Sequence, residues 1–546
     1  MIHTPALGAA TRRFGILCLL FLIACARQTG DGTSAPRATR SVRFDLAADP
    51  TNLNPLFLHQ DASSVEQQMA RLAFEPFIDL DERGRQIPAL IDRIPTLTNG
   101  GISTDGRTIM YHLRAGVKWS DGVPVSSGDV LYTLHAIMDP RNPVASREGY
   151  DLIDRATARG TQIIVFHLKH AWAPAVATLF SYGFRPQFVL PAHVLRKQEP
   201  LVQASFNAAP SVGDGPYTFV KWTRGEGLVY DANAMYWRGK PKTSRLDIRV
   251  VTDPSTNLVM LGAGQLDWNL IAPSQQATLH ARSGIAYRYV PTAVVAGIVF
   301  NLTHPPLDDV RVRRAIAMLI DRGGISEKIT LGRYPVTDML QPQFSWAFDP
   351  TIRQPQYDPK AADAALDAEG WTRAGNGVRA KGGKPLSLTY VQFPESSTGV
   401  RVATAVQAML HEHGIDLSIK SISNAQLFLP ESRGGTLASG NFDMAYVPFT
   451  MGADPDDSSV LACGAPSNYM RYCNKAVDAL QRRALAAPSQ TERKVLYRQI
   501  GRIVASDVPI LYLFNANYIY AYRSALQGFS PNAFLPTWNA GAWQIR

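Results

Sequence analysis

Residues 113–134, "LRAGVKWSDGVPVSSGDVLYTL", decide the fold class, because one run carries a strand end, a turn and a helix start. The segment from Thr108 to Leu113 reads as a strand, and Asp121-Gly122 is a turn pair. Beyond it Val130, Leu131, Leu134 and Ile137 recur at helical spacing, with Ser126 or Ser127 able to cap. Strand, turn and helix in succession predict an α/β chain.

The same alternation continues on both sides. In "SVRFDLAADPTNLNPL", Val42, Phe44 and Leu46 alternate before a Pro/Asn turn, so a strand opens the folded part near Ser41. In "DVRVRRAIAMLIDR", Val312, Ile316, Leu319 and Ile320 share a face behind Asp308 and Asp309, two carboxylates that suit a helix start without acid–base work. The stretch "YDPKAADAALDAEGW" supplies a cap (Asp358), a first-turn proline (Pro359) and an exit glycine (Gly370). Ser489 and Glu492 have capping-box spacing ahead of Val495, Leu496, Ile500, Ile503 and Val504, and a buried strand "PILYLF" follows.

At the other end, the apolar run Phe14 to Cys25 follows Arg12 and Arg13 and is too short for the roughly 20 residues of a spanning helix. It has the anatomy of a signal peptide. The run stops on a cysteine in "LIAC", which resembles the lipobox of bacterial lipoproteins. That resemblance implies cleavage after residue 24 and lipid on Cys25. The polar stretch over residues 25–40 then reads as a flexible tether. Of the four cysteines, Cys18 leaves with the signal and Cys25 takes lipid, leaving Cys463 and Cys473. Two leftover cysteines in an exported chain point to a disulfide, whereas a metal pair would lack a C-x-x-C or nearby histidines.

The chain remaining after residue 24 is too long for one core and enough for about two to four domains. The full sequence carries a formal charge of +10, of which only Arg12 and Arg13 leave with the signal, and the basic residues are scattered, as in "RPQFVLPAHVLRK" and "WRGKPKTSRLDIR", with no basic block interleaved with aromatics, so no nucleic-acid partner is expected. Catalytic signatures are missing: there is no H-E-x-x-H, G-x-S-x-G, phosphate loop or dinucleotide fingerprint. His411 and His413 in "HEHG" diverge on a helix and are read as a solvated face. No catalytic residue, metal site or cofactor is expected.

Seven segments in order carry a family resemblance: "FEPFIDLDERGRQIPALID", "LRAGVKWSDGVPVSSGDVLYTL", "GDGPYTFVKW", "NAMYWRGKP", "GAGQLDW", "PPLDDVRVRRAIAMLIDR" and "YDPKAADAALDAEGW". The chain after Ser41 resembles the extracellular solute-binding proteins, family 5, the periplasmic dipeptide- and oligopeptide-binding proteins of ABC transporters. The resemblance implies a two-lobed, type II periplasmic-binding-protein fold that closes on solute by a hinge, with an extra domain inserted in the first lobe. The implied first lobe is 41–74, 206–290 and 515–546, the inserted domain 75–205, and the second lobe 291–514. It implies a non-enzymatic, monomeric, lipid-anchored receptor in the periplasm or cell envelope that passes peptides or peptide-like solutes to a permease and its ATPase. A metal chelate, haem or sugar ligand on the same fold is the alternative, with a secreted lipoprotein hydrolase behind it.

The cysteine-flanked "CGAPSNYMRYC" is similar to a segment of dipeptide-binding members, which implies a Cys463–Cys473 bond. Peptide binders of the family place an aspartate a few residues before an Asp-Pro or Glu-Pro step, where it pairs with the peptide amine. Here "FDMAYVPFTMGADPDDSS" has Met451 three residues before Asp454-Pro455. Either Asp454, Asp456 or Asp457 takes over the amine, or the ligand has none there. By the same resemblance the segment Leu58 to Asp61, with His59, Gln60 and Asp61, runs beside bound peptide, and Phe449 is an aromatic at the cleft.

Overall fold

The computed structural model describes residues 41–58, 65–182, 186–280 and 282–546. The chain opens on β1 (Ser41–Leu46), whose alternate residues Val42, Phe44 and Leu46 are buried, followed by helix α1 (Val65–Ala73). Next come β2 (Thr108–His112), helix α2 (Ser127–Met138), β3 (Ile153–Arg159) and β4 (Ile163–Leu168). Ser126 is the cap of α2 and its N–H donates to Asp129 Oδ2 at 2.9 Å, so the helix starts where the short polar residues predict. These strands form a small antiparallel sheet in the order β2–β4–β3.

The chain then returns to the first sheet through β5 (Tyr217–Thr223), β6 (Gly227–Ala232) and β7 (Arg245–Val250), giving the order β1–β7–β6–β5 with β1 and β7 parallel. After it run β8 (Trp268–Ile271), β9 (Ile285–Phe300), α3 (Val310–Leu319), α4 (Pro359–Ala368), β10 (Ser387–Gln392), α5 (Ser397–Glu412) and β11 (Asp416–Ser421). The last elements are β12 (Met444–Thr450), α6 (Ser458–Leu461), α7 (Lys475–Ala486), α8 (Gln490–Asp507) and β13 (Ile510–Arg523). They build a six-stranded sheet, β8–β13–β9–β12–β10–β11. β12 is almost wholly buried, as a central strand covered on both faces should be.

Two large apolar clusters make the core. One gathers Val42, Phe44, Phe77, Tyr111, Phe166, Trp268 and Trp543, and runs without a break from the four-stranded sheet into the three-stranded one. The other gathers Val295, Ile316, Tyr390, Val406, Met444, Leu496 and Phe514. They part on β9 between Ala293 and Val295 and on β13 after Phe514, so these two long strands run through both halves of the six-stranded sheet.

At that crossing the β9–β13 register slips, from Pro291 opposite Asn517 to Val295 opposite Asn515. Backbone groups freed by the slip find a partner in Asn515, whose buried Nδ2 donates to Thr292 O and Val294 O, both at 2.9 Å. Its Oδ1 accepts from Gln343 N at 2.9 Å, and Thr292 Oγ1 donates to Ala516 O at 2.8 Å. Side chains have replaced ladder bonds, which lets the two strands bend without orphaning buried amides. No helix among the described residues is long and apolar enough to cross a membrane.

His413 departs from its sequence reading. Its Nδ1 lies 2.9 Å from Asp363 Oδ2, and the same aspartate bonds Arg379 at 2.6 Å, so this ring is tied between α4 and the end of α5, while His411 alone remains exposed. The carboxylate comes from about fifty residues away, beyond any local pattern.

Candidate ligand-binding site

The acidic turn after β12 is built from the strand outward. Phe449 and Met451, 5% and 3% exposed, point into the second cluster, and Met451 N–H donates to Ala293 O at 2.8 Å. A carboxylate at 451 would enter an apolar core, where it costs several kcal/mol unless paired. Ala453 instead packs on the first cluster, so residues 452–457 lie where the two halves meet. Nearby, Phe344 meets Phe534 edge-on at 5.9 Å, and Ala173 N–H donates to Leu485 O at 2.7 Å, two further contacts across the junction.

The three aspartates of this turn are not equivalent. Asp454 is gripped in a fork by Arg493 of α8, with Nη1–Oδ2 at 2.7 Å and Nη2–Oδ1 at 2.6 Å, and it also accepts from Asp456 N–H at 3.1 Å. Burial works against the Arg493 charge, but the Asp454 carboxylate outweighs it and raises the pKa. The guanidinium also sits 5.3 Å from the Trp346 ring centroid and donates to Tyr497 Oη at 3.3 Å. Asp457, 4% exposed, accepts from Gln481 Nε2 at 2.9 Å and more loosely from Gln341 Nε2 at 3.4 Å. Burial pushes it up to about 7, against the lowering effect of the Gln481 bond.

Asp456 differs from both. Oδ1 accepts from Ser458 N–H at 2.9 Å, the Ser458 side chain also bonds the carboxylate, no cation pairs with it among the described residues, and the side chain remains partly open to solvent. Burial raises its pKa, and the Asp454 and Glu148 carboxylates raise it further. Glu148 belongs to the 75–205 segment, so a second acid from across the junction acts on Asp456. A carboxylate with no cation partner and with like-charged neighbours is a seat for a cation.

The turn is held from behind by a disulfide, Cys463–Cys473, ten residues apart, which ties the end of α6 to the approach to α7. Asp478 Oδ1 accepts from Cys463 N–H at 3.0 Å, and Asn468 Nδ2 donates to Ala462 O and Tyr472 O at 2.8 and 2.6 Å. His59, Gln60, Asp61 and Cys25 lie outside the described residues. Sequence reasoning missed Arg493, Trp346, Gln341 and Gln481. The available signal was an arginine on the apolar face of α8, in line with Leu496, Tyr497 and Ile500.

Residues 87–470 match the bacterial extracellular solute-binding proteins, family 5 middle region. The chain belongs to this family, and its two-lobed fold of mixed helix and sheet is that of the periplasmic binding proteins. It is 28% identical over 518 residues to Protein XP55 of Streptomyces lividans, covering 93% of this chain and 89% of that one. It is 27% identical over 439 residues to the probable D,D-dipeptide-binding periplasmic protein DdpA of Escherichia coli strain K12, covering 79% and 81%. Among solved structures, NikA from Brucella suis in complex with Fe(III)-EDTA superposes with a TM-score of 0.80 at 21% identity, covering 93% of this chain and all of the other.

Proposed function

We propose that this chain is the substrate-binding lipoprotein of an ABC importer, capturing peptides or peptide-like solutes between its lobes and delivering them to a permease with its ATPase subunits. It acts as a receptor and not as an enzyme, as a monomer anchored in the periplasm or cell envelope by lipid on Cys25. Residues 41–74, 206–290 and 515–546 form the first lobe, 75–205 the inserted domain and 291–514 the second lobe.

The observation that carries the reading is the Asp456 carboxylate at the junction of the halves, partly open to solvent and without a cation partner among the described residues. With Asp454 committed to Arg493 and Asp457 to two glutamines, Asp456 takes the ligand ammonium, and His59, Gln60 and Asp61 run beside the solute. The peptide-binding name of DdpA supports the ligand class. Asp456→Asn is expected to weaken a free-amine dipeptide by at least about tenfold, roughly 1.4 kcal/mol, while an N-acetylated analogue binds alike to both proteins. Calorimetry decides it, and equal affinity of the two peptides for wild type defeats amine recognition. That outcome favours the second reading, a ligand such as a metal chelate, which Met451 at the usual carboxylate position and the chelate bound to NikA support.

The anchor is tested separately. Cys25→Ser should leave soluble protein or precursor, and equal recovery of mutant and wild type in carbonate-washed membranes would remove it from the proposal.

A further inference from the structure

The 75–205 segment contains a second pocket that uses none of the residues above. It is a cavity of about 520 Å³ between the last turns of α2, the loop to Asn142 and residues 196–202. That size falls within the roughly 300–1,000 Å³ of small-molecule sites. Its floor is Tyr132, 8% exposed, whose hydroxyl is buried and has no hydrogen-bond partner among the described residues. A buried hydroxyl left unpaired costs about 1–3 kcal/mol, so a native protein keeping one at a pocket wall points to a missing partner.

The charges around this floor divide into a closed pair and an open pair. Arg141 chelates Asp139, with Nη2–Oδ2 at 2.6 Å, and hydrogen bonds from Arg141 hold Asp139 down to about 2. Arg141 is committed to this fork and also feels the Glu199 charge, though no ion pair joins the two. Arg196 lies with its guanidinium carbon 5.6 Å from the Tyr132 ring centroid, and neither it nor Glu199 has an ion-pair partner among the described residues. The Tyr132 hydroxyl feels both, being raised by burial and by the Glu199 charge and lowered by Arg196. One unpaired cation and one unpaired anion therefore flank a hydroxyl without a partner, beside the apolar side chain of Val202.

We propose that this pocket is a second binding site, specific for a small zwitterion such as a free α-amino acid or a short peptide. The ligand carboxylate bonds Arg196 and accepts from the Tyr132 hydroxyl, the ammonium pairs with Glu199, and an apolar side chain rests on Val202. Two-sign recognition follows because binding a single charge would leave the opposite protein charge facing it unpaired.

The test uses the full chain with L-leucine, N-acetyl-L-leucine and L-leucinamide as probes, read by saturation-transfer NMR with titration to about 10 mM, the weak end of measurable affinity. L-leucine is expected to bind wild type and Asp456→Asn equally. Arg196→Ala and Glu199→Gln, both at exposed positions, should each weaken it at least about tenfold. Both single-charge analogues should bind wild type at least as poorly. Tyr132→Phe should weaken L-leucine without lowering the thermal unfolding midpoint of the unliganded protein, since it removes an unpaired hydroxyl. The proposal is overturned if L-leucine does not bind, if Arg196→Ala and Glu199→Gln leave it unchanged, if Asp456→Asn abolishes it, or if N-acetyl-L-leucine binds as well as L-leucine.

Discussion

Arg71 and Arg493 are buried guanidiniums paired with carboxylates, one in the first half of the molecule and one in the second. Arg71 is fully buried and donates to Asp79 at 2.8 and 3.0 Å and to Glu75 at 3.0 Å. Tyr236 closes on the same Glu75 oxygen at 2.7 Å, and Glu75 N–H donates to Asp214 at 3.0 Å. Burial pushes Asp79 and Asp214 upward, the Arg71 charge working against it. All of these groups lie inside the first core, beyond solvent. Arg493 has one carboxylate, partly accessible, and leaves Asp456 open at the junction. The same residue types are scaffold in one place and a candidate site in the other, and the difference is whether an acid oxygen still reaches solvent.

Removing each arginine sharpens the contrast. Arg71→Met strands two buried acids, and the loss should reach about 3–5 kcal/mol, read as a lower denaturant midpoint or failure to accumulate. Next in size, replacing Cys463 and Cys473 by serine should cost about 3 kcal/mol on the chain-entropy estimate, because the bond closes the short loop behind the acidic turn. Two free thiols in unfolded, unreduced protein from the envelope would contradict this. Arg493→Met should cost only about 2 kcal/mol, since Asp454 keeps the Asp456 N–H and partial access to water. A loss as large as that of Arg71→Met would erase the distinction between the two regions.

A pH dependence at Asp457 tests the same junction through titration. Its folded carboxyl is raised to about 7, against about 4 in an unfolded chain. Folding thus favours the protonated form, and that contribution is complete below about pH 4 and fades as pH rises through about 7. Asp457→Asn should flatten the stability profile between those values and gain relative to wild type at higher pH. An unchanged slope would show that Asp457 is not the titrating group.

Much of this architecture was legible locally. Asp358 accepts from Ala361 N–H at 3.0 Å with Pro359 in the first turn, Ser489 caps α8, and β1 buries the three residues whose alternation marked it. These features depend on neighbours within four positions, which a sequence displays directly. The tie of His413 to Asp363 and the commitment of Asp454 to Arg493 were not legible, because each joins elements far apart in the chain.

The sequence by itself determined the alternation of strands and helices, their caps, the family and the cysteine pair, since all of these are written in spacing and order. Only the tertiary structure decided which of the three aspartates of the turn is left without an arginine or glutamine partner. An Arg on α8 and two glutamines from separate segments claim the other two, and their approach is set by packing that no local pattern encodes.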